Sequence, residues 1–156
     1  MIFVTVGTSV PFDRLMAALA VLEDEELIVQ TGNSAHVPAA ARAVRFMPYE
    51  EVVATVRRAR AVVAHAGVGT VLTCLAAGKV PYVMPRLAAF REAVDDHQVV
   101  FARRMADAGL VRLVDHPDEL ALQLRNGHET GTVTARPAME LVTELRQYLE
   151  AAVAPS

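Results

Sequence analysis

The chain has 156 residues and a formal net charge of −3, which fits one domain with a full hydrophobic core. This balance lacks the basic footprint of a nucleic-acid-binding protein, so we expect no nucleic-acid partner. No apolar run reaches the roughly 18 residues of a membrane span, and the first residues lack the basic region and cleavage site of a signal peptide. The single cysteine, Cys74, excludes an intramolecular disulfide and is expected to be a small core residue. A cytosolic protein is therefore predicted.

Apolar segments suited to strands alternate with segments of helical periodicity along the chain. The expected strands are residues 2–6, 27–30, 43–47, 61–64, 80–84 and 110–114. The expected helices are residues 11–22, 48–58, 93–108, 117–124 and 137–153, with a further helix between the glycine turn near residue 67 and Gly78. Residues 126–136 are expected to form a loop. This alternation predicts an α/β fold, a single doubly wound parallel sheet with strand order 3-2-1-4-5-6.

Two turns of small residues follow the first and fourth strands, at Gly7-Thr8-Ser9 and at residues 65–70. These strands are neighbours in the predicted order, so both turns should face one crevice. The second turn opens a helix, whose first N–H groups lack internal partners and whose dipole is positive, and such a place suits a phosphate. Glycines let a phosphate approach the backbone closely. The alternative, that Gly67 and Gly69 only permit a tight turn, stays open at this point.

Side chains must add to the helix dipole if a phosphate is to bind there. The dipole supplies about 0.3–1 kcal/mol, whereas millimolar binding needs about 4 kcal/mol. Charge-assisted hydrogen bonds, at about 1.5–3 kcal/mol each, would supply the difference. The candidates on neighbouring loops are His65, Arg86, His97 and Gln98.

The polar segment 85–98 follows a buried strand, where open α/β sheets hold ligands. Within it, Asp95 and Asp96 could form an acid/base pair, but acids near a helix start more often cap the helix, and we prefer that interpretation for Asp95. Gln98 suits sugar hydroxyls, although an exposed polar residue without a ligand is the alternative.

Other chemistries find little support in the sequence. The five histidines are scattered, so a metal site of two histidines and one aspartate from the HAG and DDHQ segments is a minor alternative. There is no nucleophile elbow and no Walker motif, because Lys79 falls at the far end of its helix. We therefore predict no metal and no cofactor.

Three sequence blocks carry a resemblance to a known family: IFVTVGTSVPFDRL, AHAGVGTVLTCLAAGKVPYVMPR and DDHQVVFARRMADAG. The chain resembles the Rossmann-like carboxyl-terminal half of a GT-B glycosyltransferase, and within that group the glycosyltransferase family 28 C-terminal domain. More narrowly, it is similar to the catalytic subunits of two-subunit UDP-sugar transferases, both the eukaryotic dolichol-linked N-acetylglucosamine transferase and bacterial exopolysaccharide types. The resemblance covers most of the chain up to about residue 113.

The resemblance implies a UDP-sugar donor as substrate. The resemblance implies that the first glycine turn, at Gly7 and Thr8, lies near the diphosphate and that the 65–70 turn binds the phosphates. It also implies that the pair ending the third strand, Phe46 and Met47, offers backbone groups to uracil. The Asp-x-Gln segment, with Asp96 and Gln98, would then reach the sugar. Relatives commonly have Glu where this chain has Thr73, which leaves the ribose contact open. The implied substrate-binding residues, with those on the neighbouring loops, are Gly7, Thr8, Phe46, Met47, His65, Gly67, Val68, Gly69, Thr70, Thr73, Arg86, Asp96, His97 and Gln98.

The resemblance also implies partners, because the other GT-B domain holds the acceptor and usually the general base. We expect a membrane-anchored acceptor-binding subunit, a lipid-linked glycan as acceptor, and a location at the cytoplasmic face of the membrane. Residues 137–153 are expected to dock the partner. Two rivals stay open: a soluble transferase acting on a small natural product, and a nucleotide-sugar-binding module without catalysis, which Thr73 favours.

Overall fold

The computed structural model describes residues 1–8, 10–22, 24–39 and 41–127. The strands are β1 (Ile2–Thr5), β2 (Leu27–Gln30), β3 (Arg42–Val44), β4 (Ala61–His65), β5 (Tyr82–Met84) and β6 (Arg112–Leu113). The helices are α1 (Asp13–Ala18), α2 (Tyr49–Arg58), α3 (Val68–Ala76), α4 (His97–Asp107) and α5 (Pro117–Asn126), with a short 3-10 helix at Ala88–Phe90. The helix expected at 137–153 lies outside the described residues.

The six strands form one parallel sheet in the order β3-β2-β1-β4-β5-β6, which confirms the predicted α/β fold and strand order. Thr5 pairs with Gln30 on one side and with Ala64 on the other. The carboxyl ends of β2, β1 and β4 therefore lie level with one another. All connections that leave these three strands start from one rim of the sheet.

Helices cover both faces of the sheet because the side chains of each strand alternate between them. On one face, α1 and α5 pack through Leu15 and Leu120 against Val4. On the other face, Val56 of α2 and Cys74 of α3 pack on Phe3. Cys74 is fully buried, as expected, and burial raises the pKa of its thiol to about 12.

Several element boundaries differ from the predicted ones. The third strand was expected to reach Met47, but β3 ends at Val44, because its partner β2 ends at the opposite residue, Gln30. The fifth strand starts at Tyr82 rather than at residue 80, since Pro81 has no N–H to donate.

The fourth helix was expected to begin at residue 93, but α4 begins at His97. Arg91 takes a left-handed conformation (φ 56°) after the 3-10 helix, which breaks any continuous helix through this segment. The Asp95 carboxylate accepts the backbone N–H of His97 at 3.0 Å, in keeping with the helix-start role preferred for it. Within the described part of the chain, no helix combines the length and apolarity needed to cross a membrane.

Candidate functional site

The two glycine turns lie side by side at the carboxyl rim of β1 and β4. The His65 imidazole fills the space between them: a Cβ on Gly7 would lie 3.0 Å from its Cε1, and a Cβ on Gly67 would overlap its Nε2. Gly7 also has a left-handed φ of 74°. Both positions therefore exclude a side chain for steric reasons, and the predicted juxtaposition of the two turns is confirmed.

The first turn of α3 presents free backbone amides at this rim. Gly67 is the N-cap residue and provides no side-chain cap. A Cβ at Gly69, within the first turn, would meet nothing within 4 Å, and Gly69 and Thr70 border an open cleft. Unpaired amides at the positive end of a helix are suited to an anion.

A cleft of about 380 Å³ extends from these amides along the groove between α2 and α3. Its floor is polar and buried, formed by Thr5 and Gln30 at the ends of β1 and β2. One end is aromatic, where the side chains of Phe46 and Tyr49 are 64% and 68% exposed. The residues that line it are Thr5, Gly7, Thr8, Gln30, Phe46, Met47, Tyr49, Val52, Val56, Gly69, Thr70, Thr73 and Cys74.

Half of the site residues expected from the sequence line this cleft. The lining includes Gly7, Thr8, Phe46, Met47, Gly69, Thr70 and Thr73. Residues 65, 67 and 68 form the turn at one end of it. Phe46 and Met47 follow β3 rather than belonging to it, and their side chains differ, because Phe46 faces solvent while Met47 is buried.

The expected residues of the 85–98 segment are used within the loop itself. The side-chain amide oxygen of Gln98 accepts the backbone N–H of Arg86 at 3.2 Å, and an Asp96 carboxylate oxygen accepts the backbone N–H of Ala88 at 3.0 Å. Asp96 and His97 are exposed at the start of α4. The two side-chain oxygens of Gln98 and Asp96 fix the backbone of the loop.

Arg86 ties the two loops of the rim together. The side chain is only 3% exposed, and its guanidinium donates to the carbonyl oxygens of Val6 at 2.6 Å and Val10 at 2.7 Å, and to Pro11 and Glu92 at 2.9 and 3.3 Å. The sequence made Arg86 a candidate phosphate ligand. These carbonyl contacts instead make Arg86 a positioning residue for the turn after β1.

An ion pair between the partly buried Arg14 and the buried Glu92, which sequence reasoning missed, holds the same loop. The Arg14 guanidinium donates to both oxygens of Glu92 and to the Pro85 carbonyl at 2.7 Å. It lies 5.3 Å from the ring centres of both Phe12 and Phe90. Glu92 in turn accepts the Leu87 N–H at 3.1 Å, so the carboxylate is satisfied on each side and the loop is fixed against α1.

Thr73, at which the sequence resemblance left the ribose contact open, faces the cleft from α3. Its hydroxyl donates to the Gly69 carbonyl at 2.8 Å, a bond back to the preceding turn of its own helix. The short side chain leaves room in the cleft. The oxygen can still accept a hydrogen bond, but it brings no negative charge to a ribose.

Comparison with known proteins establishes the family of the chain. The sequence profile of the glycosyltransferase family 28 C-terminal domain matches residues 1–148. The chain belongs to this family. No curated protein resembles the chain closely enough to count as a match.

Similar solved structures include glycosyltransferases of low sequence identity. The glycosyltransferase SnogD from Streptomyces nogalater has a TM-score of 0.57 at 23% identity over 94% of this chain and 38% of its own. The glycotransferase of kitacinnamycin has a TM-score of 0.54 at 20% identity, over 94% of this chain and 40% of its own. CalG4, the calicheamicin glycosyltransferase, has a TM-score of 0.59 at 15% identity, over 98% of this chain and 44% of its own. The chain spans about two fifths of these proteins. At such identities the likeness establishes the fold, which is the predicted GT-B half.

Metal-binding clusters are absent from the described parts of the chain, where no three His, Cys, Asp or Glu side chains gather in a group that could hold an ion. The described histidines stand apart. His97 contacts Asp95 at 2.6 Å and His36 lies 3.7 Å from Asp13, both exposed.

His65 is held neutral at the centre of the site. Burial, and next the positive charge of Arg86, lower its pKa from 6.5 to about 4. The backbone of Thr5 has the opposite effect and raises the pKa of His65. The Nδ1 atom of His65 is buried and has no hydrogen-bond partner of normal geometry among the described residues. A neutral imidazole can donate one N–H to a phosphate but offers no charge at physiological pH.

This low pKa predicts a pH-dependent loss of stability. The folded pKa lies below the unfolded value, so as pH falls the unfolded chain binds the proton first. Neutral His65 therefore contributes about 3 kcal/mol to the free energy of unfolding above pH 6.5, and this contribution is lost as the pH falls from 6.5 to 4. In urea unfolding at pH 7, 5.5 and 4, the free energy of unfolding should fall more steeply with decreasing pH in the wild type than in His65→Gln. Parallel declines would contradict the assignment.

Proposed function

We propose that the chain is the donor-binding half of an inverting glycosyltransferase that uses a UDP-sugar. One observation carries the proposal: the first turn of α3 and the Gly7 turn line one cleft together with the aromatic side chains of Phe46 and Tyr49. A nucleoside diphosphate has the matching order of parts, with an anion at one end and a flat ring at the other. Family membership supports a glycosyl donor as the ligand.

The nucleoside is proposed to occupy the end of the cleft formed by the loop between β3 and α2. Phe46 and Tyr49 offer aromatic faces there, and Met47 and Val52 add apolar surface. The backbone of Phe46 and Met47 would hydrogen-bond the uracil edge. Stacking alone tolerates any base, so the preference for uracil would come from these backbone groups.

The diphosphate is proposed to lie across the two glycine turns. The amides of Val68, Gly69 and Thr70 and the hydroxyls of Thr8 and Thr70 would donate to its oxygens, and neutral His65 could add an N–H. The sugar would extend toward the 85–98 segment, where Asp96 and Gln98 could meet its hydroxyls. This arrangement stabilises the charge of a leaving diphosphate with backbone dipoles, so the proposal includes no metal.

In the proposed reaction an acceptor hydroxyl attacks the anomeric carbon of the sugar. The new C–O bond forms as the bond to the β-phosphate oxygen breaks, and UDP leaves with that electron pair. The hydroxyl proton passes to a general base, which we place on the acceptor-binding partner. This chain's own contribution is to bind the donor, orient the sugar and stabilise the departing diphosphate.

The acceptor is proposed to be a polyprenyl-diphosphate-linked glycan held by a membrane-anchored partner subunit. The support is the sequence resemblance to two-subunit transferases. A second candidate is transfer to a small natural product, because two of the similar structures carry natural-product names, kitacinnamycin and calicheamicin. A third, a nucleotide-sugar-binding module without catalysis, is favoured by Thr73 and its bond to Gly69.

Calorimetric titration of UDP, GDP and ADP tests the donor site, with Gly69→Asp as the decisive variant. We expect UDP to bind and the purine nucleotides to be rejected. Gly69→Asp should weaken UDP binding by at least about tenfold, since its carboxylate would face the diphosphate. The fold should survive, because a Cβ at Gly69 meets open space and an acid in the first helical turn is favourable.

Gly69→Asn is the matched control, because it adds nearly the same volume without the charge. It should bind UDP better than Gly69→Asp and melt at a similar temperature. Full UDP affinity in a folded Gly69→Asp protein would show that the phosphate cradle is misplaced.

Transfer assays separate the candidate acceptors. The chain alone, and the chain with membranes of its source cell, are given radiolabelled UDP-glucose, UDP-N-acetylglucosamine or UDP-glucuronate with a polyprenyl-diphosphate-linked acceptor or a small phenolic acceptor. We expect a lipid-linked product that requires the membranes. A full rate from the chain alone argues against a partner, and glycosylation of the phenol alone favours the second candidate. UDP binding without any transfer favours the binding module.

A further inference from the structure

Gln30 lies at the floor of the cleft, outside the residues that the sequence pointed to. It ends β2 and pairs with Thr5 of β1, whose side chain faces the α2 and α3 layer like that of Phe3 two residues earlier. Gln30 is only 5% exposed and lines the cleft beside Thr5. An amide is an unusual end for a strand whose neighbours Val29 and Leu27 are buried and apolar.

The Gln30 side-chain oxygen is buried and has no hydrogen-bond partner among the described residues. Buried amide oxygens are rarely left in this state, because the group has lost its water and gained nothing in exchange. Gln123 shows the contrast within the same chain, since its amide donates to the Leu113 carbonyl at 3.2 Å. Gln30 lines the cleft, and a turn of its amide would present this oxygen there, where a ligand would supply the missing donor.

We propose that Gln30 accepts a hydrogen bond from the nucleoside part of the bound nucleotide, an inference that rests on the proposed function. In the sheet, β2 lies between β3, which leads to the aromatic end, and β1, which leads to the Gly7 turn. A nucleotide whose base contacts Phe46 and whose phosphates lie at Gly7 must therefore pass over Gln30.

The chemistry selects the nucleoside over the phosphates. Phosphate oxygens only accept hydrogen bonds, as does the amide oxygen, whereas the imide N–H of uracil and the ribose hydroxyls donate them. Gln30 is therefore assigned as a specificity-determining contact, and its partner is either the base N–H or a ribose hydroxyl.

The test compares the wild type with Gln30→Met, which keeps the length of the side chain and removes the amide. By calorimetry, UDP affinity should fall about three- to tenfold in the variant, the range expected for one hydrogen bond. Affinity for inorganic diphosphate should not change. Without ligand the variant should melt at the same or a higher temperature, because a thioether replaces an oxygen that lacks a partner.

Gln123→Met is the matched control, since it removes an amide that is bonded within the fold. It should lower the melting temperature and leave UDP affinity unchanged. Modified nucleotides identify the partner group: 2′-deoxy-UDP or N3-methyl-UDP should bind the wild type more weakly than UDP does, and that difference should vanish in Gln30→Met for whichever group Gln30 contacts.

Three results would overturn the contact. The first is unchanged UDP affinity in the variant, and the second is an equal loss of affinity for inorganic diphosphate. The third is a lower melting temperature or failure to fold in Gln30→Met, which would show that the amide is bonded within the protein. If the wild type binds no nucleotide, both the proposed function and this contact are contradicted. If UDP binds the wild type and Gln30→Met with the same affinity, only the contact is contradicted.

Discussion

The parallel pairing of β1 with β4 is the constraint on which the site depends. Four consecutive pairs, from Ile2 with Ala61 to Thr5 with Ala64, align the carboxyl ends of the two strands to within one residue. The turn that follows each strand must therefore share one space, and His65 fills that space because Gly7 and Gly67 have no side chains. A shift of one residue in this pairing would move the α3 amides away from the Gly7 turn and divide the anion site.

Buried charges keep the loops of the rim in place. Arg86 joins the turn after β1 to the loop after β5 through carbonyl oxygens, and Arg14 with Glu92 fixes that loop to α1. Hydrogen bonds from charged donors contribute about 1.5–3 kcal/mol each, more than neutral ones. Burial is the main reason why the pKa of His65 is low, and the positive charge of Arg86 lowers it further. Arg86 thus contributes both to the order of the loops and to the neutral state of His65.

The architecture could be predicted from the sequence because it depends on local pattern. Apolar strands alternating with helices, and small residues after the first and fourth strands, indicate a parallel sheet with two turns at one crevice, which the structure confirms. Residues that act through distant partners were not accessible in this way. In the sequence, Glu92 looks like an ordinary acidic loop residue, because its partner Arg14 lies 78 positions away. Gln30 looks like the end of a strand, and the only sequence feature that pointed to a role in the site was an amide at the end of an apolar strand.

The most direct test of the account is a crystal structure of the chain with UDP. The account predicts diphosphate oxygens within about 2.7–3.2 Å of the amides in the first turn of α3, with the Gly7–Thr8 turn on the opposite side of the diphosphate. It also predicts the uracil ring beside Phe46. A diphosphate bound instead among Arg14, Arg103 and His116, in the separate cleft near α4 and α5, with the glycine rim left empty, would contradict it.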